Sequence, residues 1–414
     1  MIPLALDEIA GLAAGPLVTA AGAERITGVK VDSRRIESGD LFVAVGRGVE
    51  HLDGALARGA AATLVPQQPF AAMAALGRAV RERSSARVVG ITGSTGKTST
   101  KDILAALCAR EAVTVAAEAS YNNEIGVPLT LCRLEPETKI CILELAMRGF
   151  GQIAELCEIA RPEIGVVTNV GPAHLELVGS LEGVLRAKGE LVAALPAGGT
   201  AIVPEEFPVE RDDIEVVRLA AEPEVVFESG RALVGGVSFN FSSRHQAANA
   251  AAALAAVDAL GLPRPERVDV ELSRWRGEEI PLPGGGLLVN DSYNANPISM
   301  RAALAYLAER AGSRRRVAIL GEMAELGPGA PEFHRQIGKE AVRVGVHALL
   351  AVGELSRAYL EGASGIASTQ WAPDAAAAVS AAEALVEPGD CVLVKASRAV
   401  GLEVVAEALA AVRA

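Results

Sequence analysis

Short apolar runs bounded by glycine or polar residues recur along this chain and alternate with stretches of helical periodicity. Arg87-Val88-Val89-Gly90-Ile91-Thr92, Ile140-Cys141-Ile142-Leu143-Glu144 and Ile164-Gly165-Val166-Val167-Thr168 are nearly continuous in apolar residues. Strands of a parallel sheet covered on both faces have this pattern, because neither face meets water. A helix is predicted from about Thr98 to Arg110. The first 85 residues read as a small α/β unit, with strands at Gly28-Val29-Lys30-Val31-Asp32, Asp40-Leu41-Phe42-Val43-Ala44-Val45 and Thr63-Leu64-Val65 and a helical stretch at 55–61. Arg81-Glu82-Arg83-Ser84-Ser85 reads as a linker, and 261–273, with its prolines and charges, as a second one. Beyond it the pattern restarts: Leu287-Leu288-Val289-Asn290-Asp291, Val317-Ala318-Ile319-Leu320, Ala348-Leu349-Leu350-Ala351-Val352 and Cys391-Val392-Leu393-Val394, with helices between, predict a second doubly wound sheet. The expected fold class is α/β in three domains: a small N-terminal α/β domain (1–85), a central parallel-sheet domain (86–273) and a C-terminal Rossmann-like domain (274–414).

Composition narrows the function. Half of the residues are hydrophobic but only 3% are aromatic, so the cores must be aliphatic. A net charge of −12 argues against nucleic acid or an anionic membrane as the main partner. No apolar run reaches the roughly 18 residues of a membrane span, and the N-terminus, acidic by Asp7, does not read as a signal peptide. A cytoplasmic monomer is expected. The cysteines, five in number, form no C-x-x-C pair and read as buried reduced thiols. Lysine occurs at only seven positions, against abundant arginine, so each lysine is a candidate for work that needs a compact ammonium or an amine.

The clearest chemistry lies at Gly93-Ser94-Thr95-Gly96-Lys97-Thr98-Ser99, between a predicted strand and a predicted helix. Glycines let backbone N–H groups curl round a phosphate, and a helix N-terminus adds partial positive charge. Lys97 can reach the outer phosphates of ATP, and the Thr98 hydroxyl can ligate Mg²⁺. The spacing departs from the strict phosphate-loop pattern, since Ile91 stands where the first glycine is expected.

With its T-G-x-x-G-K-T, this segment resembles the Mur ligase family, and the likeness covers nearly the whole chain. Tyr121-Asn122-Asn123-Glu124-Ile125-Gly126-Val127-Pro128, Asp291-Ser292-Tyr293-Asn294-Ala295-Asn296-Pro297 and Gly321-Glu322-Met323-Ala324-Glu325-Leu326-Gly327 resemble the members that add D-alanyl-D-alanine to UDP-N-acetylmuramoyl-tripeptide. The D-N-P-R string expected of the third-residue-adding members is absent. The resemblance implies three domains, holding the uridine nucleotide, ATP and the incoming amine in turn. It also implies an ATP-dependent amide ligase that phosphorylates a carboxylate and lets an amine displace the phosphate. Two alternatives remain: another Mur-type ligase, such as a third-residue-adding member or a folylpolyglutamate synthase, and a phosphate-loop ATPase that ligates nothing.

The resemblance also implies residue roles. Catalysis falls to Lys97, Glu144, His174 and Lys188, with Mg²⁺ ligands from Thr98, Glu144, His174 and a carbamylated Lys188. Gly93 to Ser99, Asn249, Arg276, Asp291, Tyr293 and Asn294 would meet the nucleotide. Ser33 and Arg34, in Asp32-Ser33-Arg34, are candidates for the uridine diphosphate, and Asn122 and Asn123 for the muramoyl peptide. Asn296, Lys395, Ser397 and Arg398 are candidates for the substrates of the third domain. The chain departs from the family at Gln246, where Asn is usual, and at Ala146 and Ala396, where Gly is usual. It is also short around 205–240.

Overall fold

A computed structural model describes residues 1–411 of the chain. Contacts divide it into two compact units. One comprises Met1–Thr168, Ala187–Ser242 and Ala247–Glu271, and the other Asn169–Arg186, Ser243–Gln246 and Leu272 onward.

The first unit carries the small N-terminal sheet, in the order Leu17–Thr19, Ala62–Leu64, Asp40–Val43, Gly28–Lys30, antiparallel only at its first pair. Its main sheet has six strands, all parallel, in the order Glu215–Leu219, Thr200–Pro204, Ile164–Val167, Arg87–Thr92, Ile140–Glu144, Thr114–Ala116. Every residue of Ile140–Glu144 and Ile164–Val167 is buried, as the unbroken apolar runs require. The edge strand Glu215–Leu219 is partly exposed along its length. A smaller sheet of Val225–Glu228, Arg231–Val234, Val237–Phe239 and Arg267–Val268 fills the stretch for which the sequence suggested no element. It also takes up part of the expected linker at 261–273.

Arg81–Ser85 is not a linker. Arg81 and Arg83 form the last turn of the helix Pro69–Arg83, which packs on the helices Gly126–Leu131 and Gln152–Ala160. The Arg81 guanidinium is largely buried and donates to the carbonyls of Ala160 (2.9 Å) and Ser84 (3.1 Å). Basic side chains suit a helix C-terminus, where carbonyls lack partners. A charged cluster there looks like a solvated linker in sequence alone.

The second unit is built on a sheet ordered Glu278–Leu282, Gly286–Asn290, Cys391–Lys395, Arg316–Gly321, Ala348–Val352, Ser368–Ala372, parallel except at its first pair. Alternate residues feed two separate cores. Val289, Ala318, Leu320, Leu349 and Leu393 pack with the helices Pro297–Ala311 and Ala330–Arg343, while Leu288, Ile319, Leu350 and Val392 pack with Ala375–Leu385 and Glu403–Ala411. Helices therefore cover both faces. On the outer strand Ser368–Ala372, Trp371 donates its indole N–H to the Gly353 carbonyl (2.8 Å) and lies 3.5 Å from the Arg357 guanidinium.

Replacing Arg81 with Leu leaves the Ala160 and Ser84 carbonyls without their charged donor. The expected cost is about 1.5–3 kcal/mol, read from urea denaturation followed by far-ultraviolet circular dichroism. A change below about 0.5 kcal/mol, the usual range for surface positions, would show that the buried guanidinium does not anchor this helix.

Candidate active site

The phosphate loop of the first unit leaves the strand Arg87–Thr92 and enters the helix Lys97–Cys108. The strands on either side of Arg87–Thr92 run on in opposite sequence directions, so the loop lies at the carboxyl ends where the strand order reverses. Open parallel sheets bind ligands at such points. Gly96 has a left-handed φ of 79°, and a Cβ there would lie 2.2 Å from the Asn249 amide oxygen. Only glycine lets Asn249, buried on the helix Arg244–Ala259, come this close to the loop. The Thr168 hydroxyl donates to the Thr95 carbonyl (2.6 Å) and fixes the loop from the neighbouring strand. The Lys97 ammonium folds back to donate to the Gly93 carbonyl (2.8 Å).

Glu144 ends the strand Ile140–Glu144 and is 1% exposed. A buried carboxylate is costly unless donors or a cation satisfy it. The Thr98 hydroxyl donates to one oxygen (2.6 Å), and the Asn122 amide donates to the other (2.8 Å). A hydroxyl and a carboxylate converging at the head of a phosphate loop are hard oxygen donors of the kind Mg²⁺ takes. Among the described residues, no group of three or more His, Cys, Asp or Glu could hold a metal. A Mg²⁺ ion here would thus take few protein ligands and complete its shell with phosphate oxygens and water, its usual habit.

Lys188 lies on the helix Leu181–Ala193 and is 2% exposed. Burial, and then the nearby Lys97 charge, pushes its ammonium well below the ordinary lysine range. Two residues on, the Glu190 carboxylate accepts from the backbone N–H groups of Gly151 (2.7 Å), Ile153 (3.1 Å) and Ala154 (3.2 Å), so it caps the helix Gln152–Ala160 and anchors the Lys188 helix.

The other sequence candidates of this unit are less free. Arg34 forms a two-point pair with Asp32 (2.9 and 2.7 Å), and Asn123 accepts from the Gly126 N–H (3.0 Å) to close a local turn. Ser33 begins the short 3₁₀ turn Ser33–Arg35. Ala146 is not at positive φ, and its N–H donates to the Asn122 carbonyl (2.9 Å), so the alanine is accommodated.

In the second unit, three strand ends meet. Lys395 closes the strand Cys391–Lys395, is 2% exposed, and donates to the Asp291 carboxylate (2.6 Å) and the Asn294 carbonyl (2.9 Å). Ser397 receives the Ala324 N–H (2.9 Å), donates to the Ala295 carbonyl (3.3 Å), and binds the Glu322 carbonyl through its own N–H (3.0 Å). Ala396 between them fits because Gly321 has no side chain: a Cβ there would lie 2.6 Å from the Ala396 Cβ. Asn296 forms a capping box with Ser299 and starts the helix Pro297–Ala311, a structural duty the sequence reading did not give it. Arg276 lies over the Tyr293 ring at 4.1 Å. Arg398 lies 4.5 Å from the Trp275 ring centroid, and Trp275 itself has a left-handed φ of 62°. His174 belongs to this unit and meets the Glu325 carboxylate at 2.5 Å through Nδ1.

The Mur ligase middle domain matches residues 91–257, and the Mur ligase glutamate ligase domain matches residues 275–398. A UDP-N-acetylmuramoyl-tripeptide–D-alanyl-D-alanine ligase of Synechocystis is 36% identical over 94% of this chain and 92% of its own length. The chain belongs to the Mur ligase family. Two solved Mur ligases share its fold. A MurF crystal structure from Acinetobacter baumannii matches with TM-score 0.83 at 26% identity over 99% of both chains. The MurF ligase of Thermotoga maritima in complex with ADP matches with TM-score 0.79 at 26% identity, over 93% of this chain and 97% of its own.

The fold gathers the phosphate loop, Glu144 and Lys188, all candidates from the sequence, into one unit. The sequence alone did not mark Glu325 as the partner of His174, although Glu325 stood in a quoted motif. It also gave no role to His334, which holds that motif. The His334 Nε2 accepts the Met323 N–H (3.0 Å) while Nδ1 meets the Ala330 carbonyl (2.6 Å), a pairing that needs the neutral ring with its proton on Nδ1.

Burial holds the His334 pKa below the ordinary value of 6.5, outweighing the opposing effects of the Ala330 carbonyl and Glu322. The unfolded chain therefore takes up this proton first as pH falls. The stability His334 contributes is complete above about pH 6.5 and declines as pH drops towards the folded value. His334→Phe is expected to melt lower than the parent at pH 7.5 but to lose less stability between pH 7 and 5. Parallel melting-temperature profiles in the two proteins would refute this.

Proposed function

We propose that this Mur ligase joins D-alanyl-D-alanine to a UDP-N-acetylmuramoyl-tripeptide at the expense of ATP, in the cytoplasmic assembly of peptidoglycan precursors. One observation carries the reading: the likeness to ligases of that name runs through both units rather than through the phosphate loop alone. In this reading, residues 1–85 hold the uridine end of the acceptor, 86–273 hold ATP, and 274–414 receive the dipeptide.

An amide does not form from a carboxylate and an ammonium at neutral pH without activation. The tripeptide carboxylate attacks the terminal phosphoryl group of ATP, giving an acyl phosphate and ADP. The free amine of the dipeptide then adds to the acyl carbon, phosphate leaves, and the amine proton passes to solvent or to a nearby base. Lys97 leaves the Gly93 carbonyl to neutralise the transferring phosphoryl group, and the backbone N–H groups of 94–98 cradle the inner phosphates. Mg²⁺ would supply charge neutralisation at the same oxygens, held by Thr98 and Glu144. Arg276, Asp291, Tyr293 and Asn294 serve the nucleotide in this reading, and Ser397 and Arg398 the dipeptide carboxylate.

Lys188 is the case where burial supports a modification. A buried amine whose charged form is disfavoured is a nucleophile towards dissolved CO₂, and the product is a carbamate anion plus a released proton. Burial first, and the Lys97 charge second, disfavour the Lys188 ammonium, whereas a carbamate anion would face Lys97 as an opposite charge. Buried charges persist when they are paired.

The test is an assay of phosphate release and product mass with the purified UDP-muramoyl tripeptide, offering D-alanyl-D-alanine or single amino acids as acceptors. Turnover is expected with the dipeptide alone. Turnover with single amino acids only, or phosphate release needing no acceptor, would overturn the reading. Lys97→Met is expected to lower kcat by about 10²–10³-fold. Lys188→Ala is expected to lose nearly all activity and to regain part of it with added formate or acetate.

A further inference from the structure

Lys101 is a buried lysine on the phosphate-loop helix, one turn beyond the half-buried Lys97, and is 3% exposed. Its ammonium donates to the Ala117 carbonyl at 2.7 Å and the Ala119 carbonyl at 3.0 Å, and forms an ion pair with the Asp102 carboxylate at 2.9 Å. Two of these acceptors lie in the loop between the strand Thr114–Ala116 and the helix Gly126–Leu131. Ala119 has a left-handed φ of 44°, uncommon for a residue other than glycine. A conformation of that kind persists when its surroundings over-determine it, and the ammonium on its carbonyl does so.

The same loop carries Asn122, which donates to Glu144, and Glu144 accepts from Thr98 on the helix that bears Lys101. Thr98 and Lys101, three apart, stand on one face of that helix. The contacts form a closed circuit: helix, Lys101, loop, Asn122, Glu144, Thr98, helix. Glu118, in the middle of the loop, pairs with Arg35 (3.0 Å) and Arg133 (3.5 Å), so the circuit also reaches the Asp32-Ser33-Arg34-Arg35 segment of the N-terminal sheet.

We infer that Lys101 is a positioning residue: it sets the loop 117–123 so that Asn122 orients the Glu144 carboxylate for the metal–nucleotide complex, and it ties that setting to Arg35. Lys101 needs no contact with ATP to act. The loop keeps two other ties without it, Ala117 N–H to the Ile142 carbonyl (3.0 Å) and Ala146 N–H to the Asn122 carbonyl (2.9 Å), so removing the ammonium loosens the loop without unfolding the unit. The inference rests on the ATP-binding part of the reading above and not on the identity of the amine.

The experiment compares the full-length parent chain with Lys101→Met. Two quantities are measured without turnover: hydrogen exchange of backbone amides across 117–123 and 97–108, and the Mn²⁺ concentration for half-maximal binding in the presence of ADP, by electron paramagnetic resonance. Lys101→Met is expected to speed exchange in 117–123, with the amides of 97–108 nearly unchanged. It should also raise the Mn²⁺ requirement by up to about 10-fold, the low end of the effect of losing a metal ligand's own partner, because Lys101 reaches Glu144 only through Asn122. Lys101→Arg, which keeps a cation, should recover most of the loss. An unchanged Mn²⁺ requirement, or faster exchange spread over the whole unit with a lowered melting temperature, overturns the inference in favour of simple packing. If Lys101→Met does not fold, Lys101→Gln, which keeps side-chain donors, is read in the same way. A parent chain that binds Mn²⁺ and ADP but fails to ligate D-alanyl-D-alanine would overturn the proposed function and leave this inference standing.

Discussion

Burial of the Glu144 carboxylate ties three segments of the first unit together. With both oxygens out of water, each needs a donor, and among the described residues two segments supply them: Thr98 from the phosphate-loop helix and Asn122 from the loop before Gly126. Leaving such a carboxylate unpaired would cost several kcal/mol by the usual reckoning. The helix, the loop and the strand are therefore held in one register before any ligand arrives. Glu190 does the same for the Lys188 helix by capping a neighbouring helix, so Lys188 is fixed by an anion aimed elsewhere.

The second unit solves a similar problem with a different device. Its last parallel strand, Cys391–Lys395, inserts between Gly286–Asn290 and Arg316–Gly321. That order places residues separated by about a hundred positions at one set of carboxyl ends. Lys395 and Ser397 then join three loops through hydrogen bonds to Asp291, Asn294, Ala295, Glu322 and Ala324. The alanine between them is tolerated because the facing strand ends in glycine, so Ala396 changes the packing partner and leaves the backbone course alone.

Much of this was legible in the sequence because fully buried parallel strands need unbroken apolar runs. Ile140–Glu144 and Ala348–Val352 are found at the bounds their runs suggest. The phosphate loop was legible because its chemistry depends on a local string of residues. What escaped notice depends on partners that sequence does not bring together. Glu325 meets His174 across 151 positions, and Lys101 bonds to backbone carbonyls, which carry no residue signature. The small sheet at 225–239 escaped because its strands are short and half exposed, so no continuous run marks them. Arg81 misled in the opposite direction, as a charge that reads as solvent-facing yet bonds to buried carbonyls.

The chain's scarcity of aromatic residues has an optical consequence. Its two tryptophans, Trp275 and Trp371, both belong to the second unit, and each lies against an arginine. Indole fluorescence therefore comes from the second unit alone, and the phosphate-loop unit is dark at that wavelength. Because Trp275 neighbours Arg398, its emission is sensitive to any ligand that draws the guanidinium away from the ring. The protein carries, without labelling, a reporter placed in one half only.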